Sequence, residues 1–239
     1  SQAVETFDLY EKVQLSVAAE TAYDQRKGFF SYSSAHQQMA ENFKVENNHQ
    51  PVTETSVMLP GTLADDGVDP TSLGSAFHEL AQIMVETQSK VDEQTIDKLC
   101  LKNSVPQRAI SRVKQALELW SNSAIRQEAL AHDVVIAESP FTLQVDSEYG
   151  NYVEGAIDLL AYNKGSKDAL VVDYKTGDKG LSATQIYEHH QMQANFYAYV
   201  LMQHGFTKVE CAFVCVEVEE AGQPHVARYT FDVNHQPRL

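Results

Sequence analysis

The sequence predicts an α/β fold in which a mixed central β-sheet is flanked by helices, with a helical N-terminal part. Helix-like periodicity precedes residue 133, β-forming runs dominate residues 134–175, and one helix and two strands follow. The 239 residues, of which 43% are apolar, are enough for one large core. We therefore expect one main domain.

The N-terminal part is predicted from its apolar spacing. Apolar and aromatic residues recur at near-helical spacing over residues 3–27, and the stretch from Ser31 to Ser34 offers an N-cap for a second helix. Residues 46–70 are polar and contain three prolines, so they predict a long loop with room for a short strand at residues 56–59.

Helices and strands then follow in blocks. A helix beginning at the stretch from Asp69 to Ser72 places these apolar residues on its buried side: Leu73, Phe77, Leu80, Ile83 and Met84. Further helices are predicted at residues 92–101, 106–120 and 122–132, and a strand at 134–145. A later helix over residues 183–204 precedes strands at 208–218 and 226–233. Its predicted core positions are Ile186, Met192, Phe196, Tyr197, Val200 and Leu201.

A β-hairpin is predicted in the middle of the chain. Residues 152–162 and the run ending in VVDYK, residues 171–175, flank the turn sequence NKGS at 163–166. If the turn is centred between Gly165 and Ser166, residues whose numbers add to 331 lie opposite each other. Asp158 and Asp173 form such a pair, so the hairpin places two carboxylates side by side.

Two opposed carboxylates destabilise a sheet unless something offsets their repulsion. A divalent cation such as Mg²⁺ would do so, because it takes carboxylate oxygens at about 2.0–2.1 Å. Alternate strand residues share a face, so Lys175 borders the same place as Asp173 while Tyr174 points the other way. The alternative is an ordinary surface hairpin whose acids are partly neutralised by the lysine.

Charge and cysteine content limit the function classes. The chain has 33 acidic and 18 basic residues, a net charge of −15, which lacks the basic footprint of a typical DNA-binding protein. If the chain acts on DNA, another domain or a partner would therefore have to deliver the DNA to it. Three scattered cysteines are a poor disulfide framework and cannot form a four-thiolate metal site, although histidine could complete a zinc site.

Neither a membrane span nor a secretion signal is predicted. No apolar run approaches the roughly 18–20 residues that a spanning helix needs. The N-terminal segment lacks the basic-then-apolar order of a signal peptide. We therefore expect an intracellular chain, or a piece of one, with no membrane contact.

Four motifs in this order resemble the nuclease domain of RecB- and AddA-type helicase–nucleases, within the PD-(D/E)xK superfamily. They are GSAFH at residues 74–78, GAID at 155–158, DYKTG at 173–177 and QANFY at 193–197. The resemblance extends from about Ser31 to Phe213. It implies a restriction-endonuclease-like fold, with residues 1–30 as a helical connection to a UvrD-type helicase and residues 31–239 as the nuclease domain.

The resemblance also implies a function. It indicates Mg²⁺-dependent hydrolysis of DNA, with Mn²⁺ as a substitute, by the exonuclease domain of a helicase–nuclease that processes double-strand breaks. The implied partners are DNA, a helicase domain in the same chain and a second helicase–nuclease subunit. The implied location is the cytoplasm, at the nucleoid.

The resemblance carries over to individual residues. Asp158 and Asp173 correspond to the metal-binding acids and His78 to the histidine that completes the metal shell. The backbone carbonyl of Tyr174 is implied as a further ligand, and Glu138 as the strand acid beside the same site.

Three further residues are implied beside the metal. Lys175 corresponds to the catalytic lysine, orienting or helping to deprotonate a water. Gln193 and Tyr197 match the family's Q-x-x-x-Y element, and their spacing of four puts them on one helical face, to contact DNA or brace the site.

His189 and His190 are adjacent and do not share a helical face, so we predict that they lie on the helix surface.

Three other functions remain open from the sequence. An inactive nuclease-fold module could hold DNA or a partner, although it would be expected to have lost Asp158, Asp173 or Lys175. A stand-alone phage-type or repair exonuclease would need its own DNA-binding surface, which the acidic balance disfavours. A small-molecule-binding metalloprotein is unsupported by any cofactor signature, and the chain has no G-x-x-x-x-G-K-[ST] motif.

Overall fold

The structure is a computed structural model that describes residues 29–31, 68–147 and 150–238. The chain divides into two compact units, one of Ser1–Glu54 with Pro140–Ala156 and one of Thr55–Ser139 with Ile157–Leu239. The helices predicted for residues 3–27 and after Ser34, the loop over residues 46–67 and the connection assigned to residues 1–28 lie outside the described residues.

From residue 70 onward, the described helices and strands follow the predicted order. The strands are β1 (Phe29–Ser31), β2 (Val134–Ser147), β3 (Gly150–Tyr162), β4 (Asp168–Lys175), β5 (Lys208–Glu220) and β6 (Gln223–Asp232). The α-helices are α1 (Pro70–Glu86), α2 (Glu93–Lys102), α3 (Ile110–Ser121), α4 (Ala124–Leu130) and α5 (Ala183–Gln203), with a 3-10 turn at Gln107–Ala109 before α3.

In the first unit, a strand that the sequence analysis did not predict pairs with β3. β1 runs parallel to β3, with Phe29 opposite Tyr152 and Ser31 opposite Glu154. Ser31 therefore lies in a strand, where we had predicted the start of a helix cap. In the same unit, a Cβ on Gly155 would lie 2.5 Å from Cζ of Phe141, so the aromatic ring packs directly on the glycine backbone.

In the second unit, the sheet order is β3–β4–β5–β6. β3 and β4 are antiparallel, β4 and β5 are parallel, and β5 and β6 are antiparallel. The mixed sheet predicted from the sequence is therefore observed. β4 is buried along almost its whole length, as expected for a central strand with helices on both faces.

Helices cover both faces of this sheet. One face packs against α1, α2, α3 and α4 in a core that includes Leu170, Val172 and Tyr174. α5 packs on β5 and β6 from the other side, where Cys211, Phe213 and Cys215 are buried. The alternation of side chains along β4 therefore points Tyr174 and Asp173 into different layers.

Side-chain caps fix the starts of four helices. Asp69, Asp92, Ser123 and Ser182 each accept a hydrogen bond from a backbone N–H in the first turn of α1, α2, α4 and α5. The cap at Ser182 is a capping box, because Gln185 returns a hydrogen bond to the Ser182 backbone. Ser182 is also the last residue of the seven-residue loop, residues 176–182, that connects β4 to α5.

Two predicted core positions differ from the structure. Met192 is 37% exposed, and its prediction as a core residue is wrong. Ile83 is only half-buried. The buried faces of the two helices instead include Ala81 and Val85 in α1 and His190, Ala194 and Ala198 in α5. None of the described helices is both long enough and apolar enough to span a membrane.

Candidate active site

The predicted hairpin register is confirmed. Leu159 lies opposite Val172 and Tyr162 opposite Ala169, so the residue numbers of each pair add to 331. Asp158 and Asp173 come next beyond the first of these pairs, and both are buried. The backbone N–H of Tyr174 donates a hydrogen bond of 2.7 Å to Oδ2 of Asp158. This bond ties the acid of β3 to the residue between Asp173 and Lys175.

Asp173 and Lys175 form an ion pair on the α5 side of the sheet. Nζ of Lys175 lies 2.6 Å from Oδ1 of Asp173 and donates a hydrogen bond of 2.9 Å to Oε1 of Gln193. Oδ1 of Asp173 is buried and accepts no well-aligned hydrogen bond from the described residues. Lys175 and Asp173 therefore share a face, as the alternation predicted.

Two residues of α5 complete a hydrogen-bond network around this ion pair. The hydroxyl of Tyr197 donates to Oδ2 of Asp173 at 2.9 Å. The amide of Gln193 donates to the same oxygen at 3.1 Å and to the Tyr197 hydroxyl at 2.8 Å. The network holds the carboxylate of Asp173 from the helix side and leaves Oδ1 facing Lys175.

The ring of Tyr174 lies in the opposite layer. Its centroid is 4.8 Å from that of Trp120 and 5.4 Å from that of Phe77, both edge-to-face. These contacts hold residue 174 of β4 in place beside Asp158 of β3. The role of its carbonyl as a metal ligand stays a prediction.

His78 and Glu138 approach Asp158 from α1 and β2. Nδ1 of His78 lies 3.3 Å from Oδ1 of Asp158 and 4.0 Å from Oε1 of Glu138. The three side chains each place one ligand-capable atom within 4.8 Å of the others. Glu138 has a φ of 48°, a left-handed conformation that is uncommon for a non-glycine residue. The structure therefore brings together His78, Glu138 and Asp158 at one point.

Burial and the neighbouring charges shift the pKa values of the site residues. Burial, and then the charge of Asp158, raise the pKa of Asp173, although the charge of Lys175 opposes them. Burial lowers the pKa of Lys175, but the adjacent Asp173 outweighs it and the pKa is raised. For His78, burial lowers the pKa, and the hydrogen bond and charge of Asp158 more than compensate. Burial and the charge of Asp158 raise the pKa of Glu138.

The donor set fits a hard divalent cation. Carboxylate oxygens predominate, with one imidazole nitrogen, which is a shell that suits Mg²⁺ or Mn²⁺ better than a thiolate-binding metal. Asp158 and Glu138 converge with His78, and the charge of Asp158 adds to burial in raising the pKa values of Asp173 and Glu138. A cation at this point would offset that charge.

A groove opens beside His78. It runs along α1 and the start of the loop after Lys175, and these residues line it: Thr71, Gly74, Ser75, His78, Glu79, Gln82, Glu138 and Thr176. A Cβ on Gly74 would lie 3.0 Å from Oγ1 of Thr176. The glycine therefore lets α1 approach the strand end that carries Lys175.

The prediction that His189 and His190 lie on the helix surface is wrong for His190. His190 is buried, its Nε2 lies 2.9 Å from Oδ2 of Asp178, and its ring stacks on Phe213 at 5.1 Å. Nδ1 of His189 lies 3.8 Å from Oδ1 of Asp178. The burial of His190 depends on Asp178, which the loop before the Ser182 cap brings back to α5, a contact that helical spacing alone does not predict.

Comparisons with known proteins identify the family to which the sequence is similar. A sequence model of the PD-(D/E)XK nuclease superfamily matches residues 52–236. The ATP-dependent helicase/nuclease of Streptococcus agalactiae serotype Ia has an A subunit that is 32% identical over 164 residues, as are its counterparts from serotypes V and III. These matches cover 64% of this chain but only 13% of each relative, so the chain spans a small part of their length.

One solved structure also aligns with the chain. It is named as an exonuclease from Eubacterium rectale. The two chains align with a TM-score of 0.38 at 11% identity, over 77% of this chain and 80% of that one.

Proposed function

The chain belongs to the PD-(D/E)XK nuclease superfamily, and we propose that it hydrolyses DNA phosphodiester bonds with Mg²⁺, for which Mn²⁺ can substitute. The observation that carries the proposal is the convergence of His78, Asp158 and Glu138 from three elements beside the ion pair of buried Asp173 and partly buried Lys175. Paired acids with a neighbouring lysine are the groups that metal-assisted phosphodiester hydrolysis needs.

We assign the metal to Asp158 and Asp173, with His78, the carbonyl of Tyr174 and Glu138 completing or bordering the shell. A divalent ion held there supplies Lewis-acid stabilisation of charge on the phosphate and makes water more acidic. The hydrogen bond from the Tyr174 N–H keeps one oxygen of Asp158 engaged and leaves the other facing His78. The charge of the ion offsets the repulsion between the two acids.

Lys175 is the catalytic lysine in this proposal. Its ammonium is held at a raised pKa by Asp173, so it is protonated near neutral pH and suited to orient a water and to stabilise negative charge on the phosphate. Gln193 and Tyr197 act as positioning residues, because they contact Asp173 and Lys175. This network supports the bracing role rather than direct contact with DNA.

The groove beside His78 is the proposed path for the DNA strand. Thr71, Ser75 and Thr176 line it together with the acids Glu79 and Glu138, and hydroxyl side chains are common donors to backbone phosphates. With a net charge of −15, the domain needs DNA to be delivered to it. We propose that a helicase domain in the same chain does this.

The wider assignment rests on the helicase/nuclease relatives, of which the chain spans 13%. We propose that this is the exonuclease domain of a helicase–nuclease, with a second subunit, that processes double-strand breaks in the cytoplasm at the nucleoid. An inactive scaffold is disfavoured because Asp158, Asp173 and Lys175 are all retained.

Cleavage of end-labelled single-stranded DNA tests the proposal. The wild type should degrade DNA with Mg²⁺ or Mn²⁺ and stop when the ion is chelated. Lys175→Ala should lose about 10²–10³-fold in rate, the usual loss for one charge-stabilising group. Lys179→Ala is the matched control, because Lys179 is an exposed lysine of the following loop.

Equal cleavage by the wild type and Lys175→Ala would overturn the assignment. If neither protein cleaves DNA, thermal unfolding distinguishes a nuclease that lacks its DNA-delivering partner from an inactive scaffold. Stabilisation by Mg²⁺ that disappears in Asp173→Asn would indicate a competent site without its DNA-delivering partner. Absence of any such stabilisation would favour the scaffold.

A further inference from the structure

A second cluster of metal-ligating side chains lies outside the proposed active site. Asp178, in the loop after Lys175, meets His189 and His190 of α5, and one ligand-capable atom from each lies within 4.8 Å of the others. Asp178 and His190 are buried, whereas His189 is half-exposed. The cluster is therefore reachable from solvent through His189.

The spacing of these atoms suits a tetrahedral ion. Metal–nitrogen and metal–oxygen bonds of about 2.0–2.2 Å place neighbouring ligands of a tetrahedron about 3.3 Å apart. Nε2 of His190 lies 2.9 Å from Oδ2 of Asp178, and Nδ1 of His189 lies 3.8 Å from Oδ1 of the same carboxylate. One ligand-capable atom from each of the three residues lies within 4.8 Å of the others, so an ion would have to draw the half-exposed His189 closer to the other two.

The surroundings hold the cluster in place. The ring of His190 lies between those of His189 and Phe213, stacked at 4.6 Å and 5.1 Å. The thiol of Cys215 donates to Oδ2 of Asp178 at 3.3 Å. This hydrogen bond helps to orient the carboxylate, as outer partners of metal ligands commonly do.

The donor chemistry differs from that of the first site. Two imidazoles and one carboxylate form a set that zinc and similar divalent transition metals prefer, whereas oxygen-rich sets suit Mg²⁺. We propose that Asp178, His189 and His190 bind a divalent transition-metal ion of the zinc class, which fastens the loop after Lys175 to α5.

A metal ion bound at this site would also affect Phe213, the side chain next to the proposed catalytic lysine. Phe213 contacts His190 on one side, and its ring centroid lies 5.4 Å from Nζ of Lys175. An ion that fixes His190 therefore also fixes the ring against which Lys175 rests. The site itself does not depend on the nuclease proposal.

Titration with Co²⁺, a spectroscopic substitute for Zn²⁺, tests the site in the chain without a histidine tag. Excess Mg²⁺ is present throughout, so that the oxygen-rich site is already filled. One equivalent of Co²⁺ should produce the visible absorption of a tetrahedral ion, and Zn²⁺ should abolish it. A parallel calorimetric titration with Zn²⁺ should show one matching equivalent of binding.

Substitutions of single residues test which side chains bind the ion. His189→Ala should weaken binding at least about tenfold, because losing even an outer partner of a ligand commonly costs that much. His189 is exposed, so this variant should fold. His235→Ala is the matched control, since His235 also pairs with a single aspartate, at 3.3 Å, on the surface. Asp158→Asn should keep the absorption.

Three results would overturn the proposal. The first is the absence of both Co²⁺ absorption and Zn²⁺ binding in the wild type. The second is unchanged affinity in His189→Ala. The third is loss of the signal in Asp158→Asn, which would assign the ion to the nuclease site instead.

Discussion

Asp158 accepts a hydrogen bond of 2.7 Å from the backbone N–H of Tyr174, across the β3–β4 pair. One oxygen of the carboxylate thus has a structural partner, while the other lies 3.3 Å from Nδ1 of His78. The two oxygens of Asp158 therefore have separable roles, one in the strand pair and one in the proposed metal shell.

Asp158→Asn should separate these roles. The amide oxygen can still accept from Tyr174, so unfolding free energy without metal should change by no more than about 1 kcal/mol, while stabilisation by Mg²⁺ disappears. Asp158→Ala should in addition lose about 1–3 kcal/mol, because it leaves the buried N–H without a partner. Thermal unfolding with and without Mg²⁺ measures both. Retained Mg²⁺ stabilisation in the asparagine variant would argue against Asp158 as a ligand.

Tyr197→Phe tests whether the α5 network braces the site or contacts DNA. The change removes the hydroxyl that donates to Asp173, at a cost of about 0.5–1.5 kcal/mol in stability. For a positioning residue, kcat should fall about 10–100-fold with KM for DNA nearly unchanged. Steady-state cleavage kinetics give both constants. A raised KM with unchanged kcat would instead indicate contact with the substrate.

Gly74→Val should displace the strand end that carries Lys175. A Cβ at residue 74 already lies 3.0 Å from Oγ1 of Thr176, and the branched side chain adds more atoms, so we expect about 1–3 kcal/mol of destabilisation and slower cleavage. Thr176→Ala removes the clashing atom and should restore part of both losses in the double variant. Urea unfolding and cleavage rates measure the coupling. Simple additivity of the two changes would contradict the proposed clash.

Glu128 should contribute stability that depends on pH. A hydrogen bond from Arg228 lowers the pKa of Glu128, although burial opposes it. Its contribution is therefore complete above the unfolded value of about 4.3 and is lost as the pH falls through the lower folded pKa. Because Glu128 is partly exposed, Glu128→Gln should cost less than about 1 kcal/mol near neutral pH.

The same difference should shrink as the pH falls below about 4. Urea unfolding over this pH range measures it. Glu188→Gln is the control, because Glu188 is an exposed glutamate with no ion pair among the described residues. A difference that stayed constant or grew at low pH would contradict the role of the Arg228 pair.

The pairing of β3 with β4 and the shared face of Asp173 and Lys175 could be predicted from short stretches of the sequence. The turn at residues 163–166 determines the register of β3 and β4, and the alternation along β4 assigns Asp173 and Lys175 to one face and Tyr174 to the other. Both rules depend on a few neighbouring residues, which are visible in the sequence. The observed pairing of Leu159 with Val172 follows from them.

Features that depend on distant contacts were not predictable. The positive φ of Glu138 and its approach to His78 depend on how β2 and α1 meet in the fold. The burial of His190 depends on Asp178 returning from the loop to α5. Adjacent helix residues point in different directions, but two long imidazoles can still converge on a third group that another segment supplies.

The position of a bound divalent ion tests the proposed active site most directly. Crystals grown with Mn²⁺ under conditions that support cleavage allow the ion to be located by its anomalous scattering. The proposal predicts a peak within about 2.1 Å of a carboxylate oxygen of both Asp158 and Asp173, beside His78. A peak elsewhere, or none at an ion concentration that supports cleavage, would contradict it.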